Sequence, residues 1–141
     1  MKDCIFCQIV RGEKPARKVY EDKDTLAILD TYPISRGHTL VIPKKHIVWH
    51  TDMDEKEAQV FYRTMHLVAG KIKKALNSEY VSTFIRGTRV PHLHGFLVPK
   101  IKGEDNIFDK IMDVHHYFQQ RQTPFMSNEE LDDIASRIRE P

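Results

Sequence analysis

Residues 91–99 read Pro91-His92-Leu93-His94-Gly95-Phe96-Leu97-Val98-Pro99, and residues 4–7 read Cys4-Ile5-Phe6-Cys7. In a strand, alternate side chains share a face, so His92, His94 and Phe96 fall on one side and Leu93, Gly95 and Leu97 on the other. Two imidazoles then stand roughly 6 to 7 Å apart. A core strand has little use for such a pair, because each buried imidazole needs partners on both nitrogens. A site that uses histidine as metal ligand or nucleophile does need it. The Cys-x-x-Cys pair has three readings: two small buried hydrophobes, a redox couple, or half of a metal site. The redox reading fits poorly, since that motif belongs between strand and helix of a βαβ unit. A structural zinc site needs two further ligands, for which His46 and His92 are the candidates.

The elements that must position these residues are legible in outline. Lys18 to Glu21 reads as a short strand and Thr25 to Asp30 as a better one, with Leu26, Ile28 and Asp30 on one face. Tyr32-Pro33-Ile34-Ser35-Arg36-Gly37 breaks the chain, and His38 to Ile42 is the next strand, stopped by Pro43. Asp52 or Asp54 caps a long helix from about Asp54 to Leu76. Ala58, Phe61, Met65, Val68, Ile72 and Leu76 recur along it at spacings of three and four. Tyr80 to Ile85 is a strand. Arg86-Gly87-Thr88-Arg89 then reads as a two-residue type II′ hairpin turn, with Val90 to Val98 returning antiparallel. Ile107 to Gln119 is helical, and Ser127-Asn128-Glu129-Glu130 opens a last helix as a capping box, with Leu131, Ile134 and Ile138 on one side. Strands joined by hairpins, with helices grouped between and after them, predict an α+β fold with an antiparallel sheet of about five strands.

The chain has 141 residues, one domain's worth, divided into a core over about 1–102 and a helical extension over about 103–141. Its 22 Lys and Arg nearly balance 20 Asp and Glu, and a net charge of +2 gives no footprint for duplex nucleic acid or an acidic membrane. No apolar run approaches the ~18 residues needed to span a bilayer. No apolar stretch of signal-peptide length follows Met1-Lys2-Asp3-Cys4, which predicts a cytoplasmic protein with reduced cysteines. Of the other histidines, His38 reads as a satisfied structural imidazole, His50 and His66 lack motif context, and adjacent His115 and His116 point to different sides of a helix.

The sequence resembles the histidine-triad (HIT) family, whose signature is His-x-His-x-His followed by two apolar residues. The likeness extends through Cys4 to Cys7, Val19-Tyr20-Glu21-Asp22, Leu26 to Asp30, and Gly37-His38-Thr39-Leu40-Val41-Ile42-Pro43-Lys44-Lys45-His46. The resemblance implies a HIT-like fold, a homodimer, and a closed structural zinc site of Cys4, Cys7, His46 and His92. It also implies a purine nucleotide or nucleotide adduct as ligand, with no catalytic metal or organic cofactor. Ile5, Phe6, Ile28 and Leu29 would line the base pocket and Asp30 would accept hydrogen bonds from both ribose hydroxyls, a role suited to an acceptor-only carboxylate. By the same resemblance His94 is the nucleophile, attacking the α-phosphorus of a phosphoramidate, a dinucleoside polyphosphate or a nucleotidyl-amino acid adduct.

Two departures stand out. Phe96 replaces the third histidine and cannot donate a hydrogen bond toward phosphate. The segment before the motif is only Arg86-Gly87-Thr88-Arg89, without the family's longer loop and its Gln. Thr88 and Arg89 lie nearest the missing contacts, and the planar fork of Arg89 would suit phosphate; the plainer alternative makes Arg86 and Arg89 solvated hairpin charges. The function expected is therefore a nucleotide hydrolase or nucleotidyl transferase, the alternative being a catalytically silent nucleotide-binding or interaction protein.

Overall fold

The computed structural model describes residues 4–87, 89–104, 110, 111, 113, 114, 116 and 126–139. The chain divides into two compact units, Met1–Ile107 and Phe108–Pro141. In the first unit, helix α1 (Ile5–Val10) precedes strands β1 (Lys18–Glu21), β2 (Thr25–Leu29) and β3 (Thr39–Pro43). Helix α2 (Glu55–Leu76) follows, and strands β4 (Tyr80–Arg86) and β5 (His94–Lys100) complete an antiparallel sheet of five strands ordered β1-β2-β3-β5-β4. The α+β architecture expected from the sequence is the one observed.

Helix α2 starts where its cap dictates. The Glu57 N–H donates to Asp54 Oδ1 at 2.8 Å and the Asp54 N–H to Glu57 Oε2 at 3.0 Å, so Asp54 rather than Asp52 is the capping residue. The apolar stripe of the helix turns Phe61, Met65, Val68 and Ile72 onto Ala27, Val41 and Leu97 of the sheet. Gly95 makes this approach possible. A Cβ there would lie 2.7 Å from Met65 Sδ and 3.2 Å from Phe61 Cζ.

Pleating sends the alternate residues to the opposite face. There Ile28 pairs with Leu40, Leu40 with Phe96, and Phe96 with Phe84, a row running across β2, β3, β5 and β4. Helix α1 buries Phe6 and Ile9. The functional residues belong to this second face.

The hairpin differs from the sequence expectation. Strand β5 begins at His94, which pairs with Arg86, and residues 87–93 form a connection longer than a two-residue type II′ turn. Pro91 has no N–H to offer a ladder. The His92 N–H turns to the Val90 carbonyl at 2.7 Å, and the Leu93 N–H to the Ile47 carbonyl at 2.6 Å. The chain is thus drawn toward the loop after β3 before it enters β5. His92 therefore lies off the strand that carries His94 and Phe96. Smaller shifts occur in β2, which ends at Leu29 before Asp30, and in β3, which runs one residue later than expected and keeps Pro43 as a paired residue opposite Thr25.

In the second unit, Ser127 caps helix α3 (Asn128–Arg139). The Glu130 N–H donates to Ser127 Oγ at 3.2 Å and the Ser127 N–H to Glu130 Oε2 at 2.7 Å, the expected capping box. Leu131, Ile134 and Ile138 on this helix are exposed. Of the helix expected over 107–119, residues 110, 111, 113, 114 and 116 are helical, and the rest lie outside the described residues. Among the described residues, no helix is long and apolar enough to cross a membrane.

Candidate active site and metal centre

Cys4 and Cys7 flank the first turn of α1, His46 follows β3, and His92 precedes β5; their ligand atoms all lie within 4.8 Å of one another. The Sγ atom of Cys7 is 3.2 Å from His46 Nδ1 and 3.5 Å from His92 Nδ1. Cys4 Sγ is 3.4 Å from His92 Nδ1, and the two Nδ1 atoms are 3.3 Å apart. A tetrahedral zinc ion with ordinary Zn–S and Zn–N bonds demands S···N edges of about 3.5 Å and an N···N edge of about 3.3 Å. The donor set fits, so these residues could form a zinc site. His92 is already oriented for it: its Nε2–H donates to the Pro43 carbonyl at 2.9 Å, which leaves the Nδ1 lone pair facing the cluster. Burial holds His92 below the usual histidine pKa and pushes the Cys7 thiol above its own.

His94 has the opposite tautomer. Its Nδ1 lies 2.6 Å from the His92 carbonyl oxygen, an acceptor only, so Nδ1 carries the proton and the lone pair resides on Nε2. Phe6 links the two rings, with its centroid 5.8 Å from His92 and 5.0 Å from His94.

His94 lines a cleft of about 500 Å³. Ile5, Phe6 and Ile9 of α1 meet Ile28 and Leu29 of β2 along its apolar side. Asp30, Thr31, Tyr32 and Ile34 continue the wall, Leu40 and Phe96 contribute from β3 and β5, and Arg89 and Val90 come from the 87–93 connection. Asp30 Oδ1 accepts the Tyr32 N–H at 2.8 Å, and the carboxylate remains 20% exposed. Arg89 is exposed and makes no ion pair among the described residues. One cleft thus contains Ile5, Phe6, Ile28, Leu29, Asp30, Arg89 and His94, while Cys4, Cys7, His46 and His92 gather behind it. Thr88 lies outside the described residues.

Sequence reasoning passed over His38. It is 1% exposed and lines the same cleft. Its ring stacks on Phe96 with centroids 5.0 Å apart, and Phe84 stacks on Phe96 at 4.2 Å. His38 Nδ1 accepts the Ile34 N–H at 3.3 Å and lies 3.4 Å from Asp30 Oδ2, but Nε2 is buried and has no hydrogen-bond partner among the described residues. The expected satisfied imidazole is therefore only half satisfied. Pairing of Leu40 with Phe96 brings His38 onto that ring, and no local pattern around Gly37-His38 announces it.

The fold recurs among known proteins. A protein of Streptococcus mutans UA159, SMU.412c, has a TM-score of 0.80 at 32% identity, over 99% of this chain and 85% of that one. A zinc-bound histidine triad family protein from Mycobacterium smegmatis has a TM-score of 0.70 at 34% identity, over 74% and 80% of the two chains. The adenylylsulfatase HINT3 of Arabidopsis thaliana is 35% identical over 103 residues, which span 70% of this chain and 52% of that protein. The family model described as the HIT domain matches residues 11–103, and with these relatives it establishes that the chain belongs to the HIT family.

Proposed function

We propose that this protein is a nucleotide hydrolase or nucleotidyl transferase that works through a covalent intermediate on His94. The observation carrying the proposal is the hydrogen bond from His94 Nδ1 to the His92 carbonyl, which leaves the lone pair on Nε2 of a residue lining a cleft with an apolar wall and a carboxylate. A purine base would pack among Ile5, Phe6, Ile28 and Leu29, and Asp30 would accept both ribose hydroxyls. His94 Nε2 then attacks the α-phosphorus, and the bond to the leaving group breaks as the N–P bond forms, a leaving amine taking a proton from solvent that the water of the second step gives back. Water attacks the nucleotidyl-imidazole in a second step, releasing a nucleoside monophosphate and restoring neutral His94. The positive charge that develops on the ring is stabilised by the same carbonyl. Arg89 supplies a guanidinium to phosphate oxygens, and Thr88 belongs to the same connection. Zinc held by Cys4, Cys7, His46 and His92 is structural: with four protein ligands the site is closed to water. The relative named as an adenylylsulfatase supports a hydrolase. By family likeness the protein acts in the cytoplasm as a homodimer.

A second reading, a nucleotide-binding protein without turnover, draws on Phe96, which brings an apolar ring to a position where a donor is expected. Hydrolysis of adenosine 5′-phosphoramidate separates the two. Turnover that His94→Ala abolishes supports the enzyme; saturable binding without product supports the silent protein.

A further inference from the structure

We infer that Tyr32 sets base specificity at the cleft, its ring folding over the outer face of the bound base and favouring a purine over a pyrimidine. The inference rests on the nucleotidyl reading of the cleft and adds to it a contact on the solvent side. A base lodged among Ile5, Phe6, Ile28 and Leu29 has one face on that apolar wall. Its other face stays in water unless a side chain covers it. Four of the rings lining the cleft, Phe6, His38, His94 and Phe96, are buried and packed on one another. Tyr32 lines the same cleft and is 89% exposed. Among the described residues it is the one aromatic ring of this cleft with room to cover a ligand.

Its surroundings support this choice. Single large apolar side chains on a surface are ordinary, but Ile5, Leu29, Tyr32 and Ile34 are all exposed on one cleft. A rim of that composition suits a flat, largely apolar partner. The Tyr32 backbone is held in place, because its N–H donates to Asp30 Oδ1 at 2.8 Å and Pro33 follows with a restricted φ. The ring itself changes rotamer quickly, as exposed side chains do. The carboxylate proposed to take the ribose hydroxyls thus also fixes where the ring begins, so both contacts fall on adjoining parts of one nucleoside. A carboxylate oxygen has a second lone pair, and the Tyr32 N–H leaves room for a hydroxyl at Oδ1. The two fused rings of a purine overlap more of the phenol ring than the single ring of a pyrimidine, and gain more from the stack.

Wild-type protein tests this without any substitution. With adenosine 5′-monophosphate bound, nuclear Overhauser contacts should connect the Tyr32 ring protons to the adenine ring protons. Bound nucleotide with no such contact overturns the inference. Substitution then reads the specificity. Tyr32→Ala should raise Kd about 10-fold for adenosine 5′-monophosphate and no more than about 3-fold for uridine 5′-monophosphate, in line with the worth of one base stack. Tyr32→Phe, which keeps the ring, should bind both as the wild type does. Equal losses for the two nucleotides in Tyr32→Ala, or a loss in Tyr32→Phe as large as in Tyr32→Ala, overturn the inference. A side chain this exposed should leave Tm unchanged in both variants, so the affinities report the contact and not the fold. Absence of nucleotide binding by the wild type would instead overturn the nucleotidyl reading itself.

Discussion

His94 Nδ1 lies 2.6 Å from the main-chain carbonyl of His92, and the side chain of His92 belongs to the cluster with Cys4, Cys7 and His46. One residue therefore joins the candidate metal site to the proposed nucleophile, with its ring in the cluster and its backbone holding His94. His92 and His94 take opposite tautomers for that reason. Phe6 touches both rings from a helix that Cys4 precedes and that carries Cys7, so this helix is part of the same unit.

If the cluster holds zinc as proposed, that link makes metal loss a catalytic event as well as a structural one. Cys7→Ser should lower bound zinc well below one equivalent and reduce Tm by about 5 °C or more, since roughly 1–2 kcal/mol corresponds to such a shift at this size. Turnover should fall in parallel, by tenfold or more, as His92 loses its anchor. Metal analysis, calorimetry and kinetics on one preparation check all three. Unchanged zinc stoichiometry would sink the metal assignment.

The proposed ribose contact makes Asp30 the source of a preference for ribonucleotides. Asp30→Asn should raise Kd for a purine ribonucleotide by about 10-fold, the worth of a charged hydrogen bond. The variant should also lose most of the preference over the 2′,3′-dideoxy analogue. Titration calorimetry with both ligands reads this. A preference that survives the substitution places the ribose elsewhere.

Arg89 is exposed at the cleft with no ion pair among the described residues. Arg89→Ala should weaken binding of adenosine 5′-monophosphate about 5- to 10-fold and leave binding of adenosine unchanged, because only the phosphate meets the guanidinium. Tm should move by no more than about 1 °C, as expected for an exposed side chain. Equal effects on both ligands would assign Arg89 to the solvated surface.

Acid should destabilise the fold through buried imidazoles. His38 and His92 have folded-state pKa values below the ordinary histidine value, chiefly because burial disfavours the charged ring. The unfolded chain therefore binds more protons, and the stability these groups contribute is present above about pH 6.5 and lost as pH falls below it. Thermal melts of metal-free protein between about pH 7.5 and about pH 5 should show Tm falling with pH. A flat profile would mean both rings titrate normally.

Much of this was legible in the chain. The three-and-four spacing from Ala58 to Leu76 fixes α2, and Cys4, Cys7, His46 and His92, chosen by residue type, gather into one cluster that could hold a metal. The connection over 87–93 was not legible, because it is set by the Leu93 N–H reaching the Ile47 carbonyl, a contact between distant segments. His38 escaped notice for a similar reason. Its place against Phe96 follows from how β3 and β5 register, which no window around residue 38 contains.

The covalent step is the centre of the proposed chemistry, and intact-mass spectrometry during a single turnover of adenosine 5′-phosphoramidate observes it directly. Attack by His94 predicts a transient gain of one adenylyl group in the wild type and none in His94→Ala. Product formed with no adduct, or an adduct that persists in His94→Ala, would contradict it.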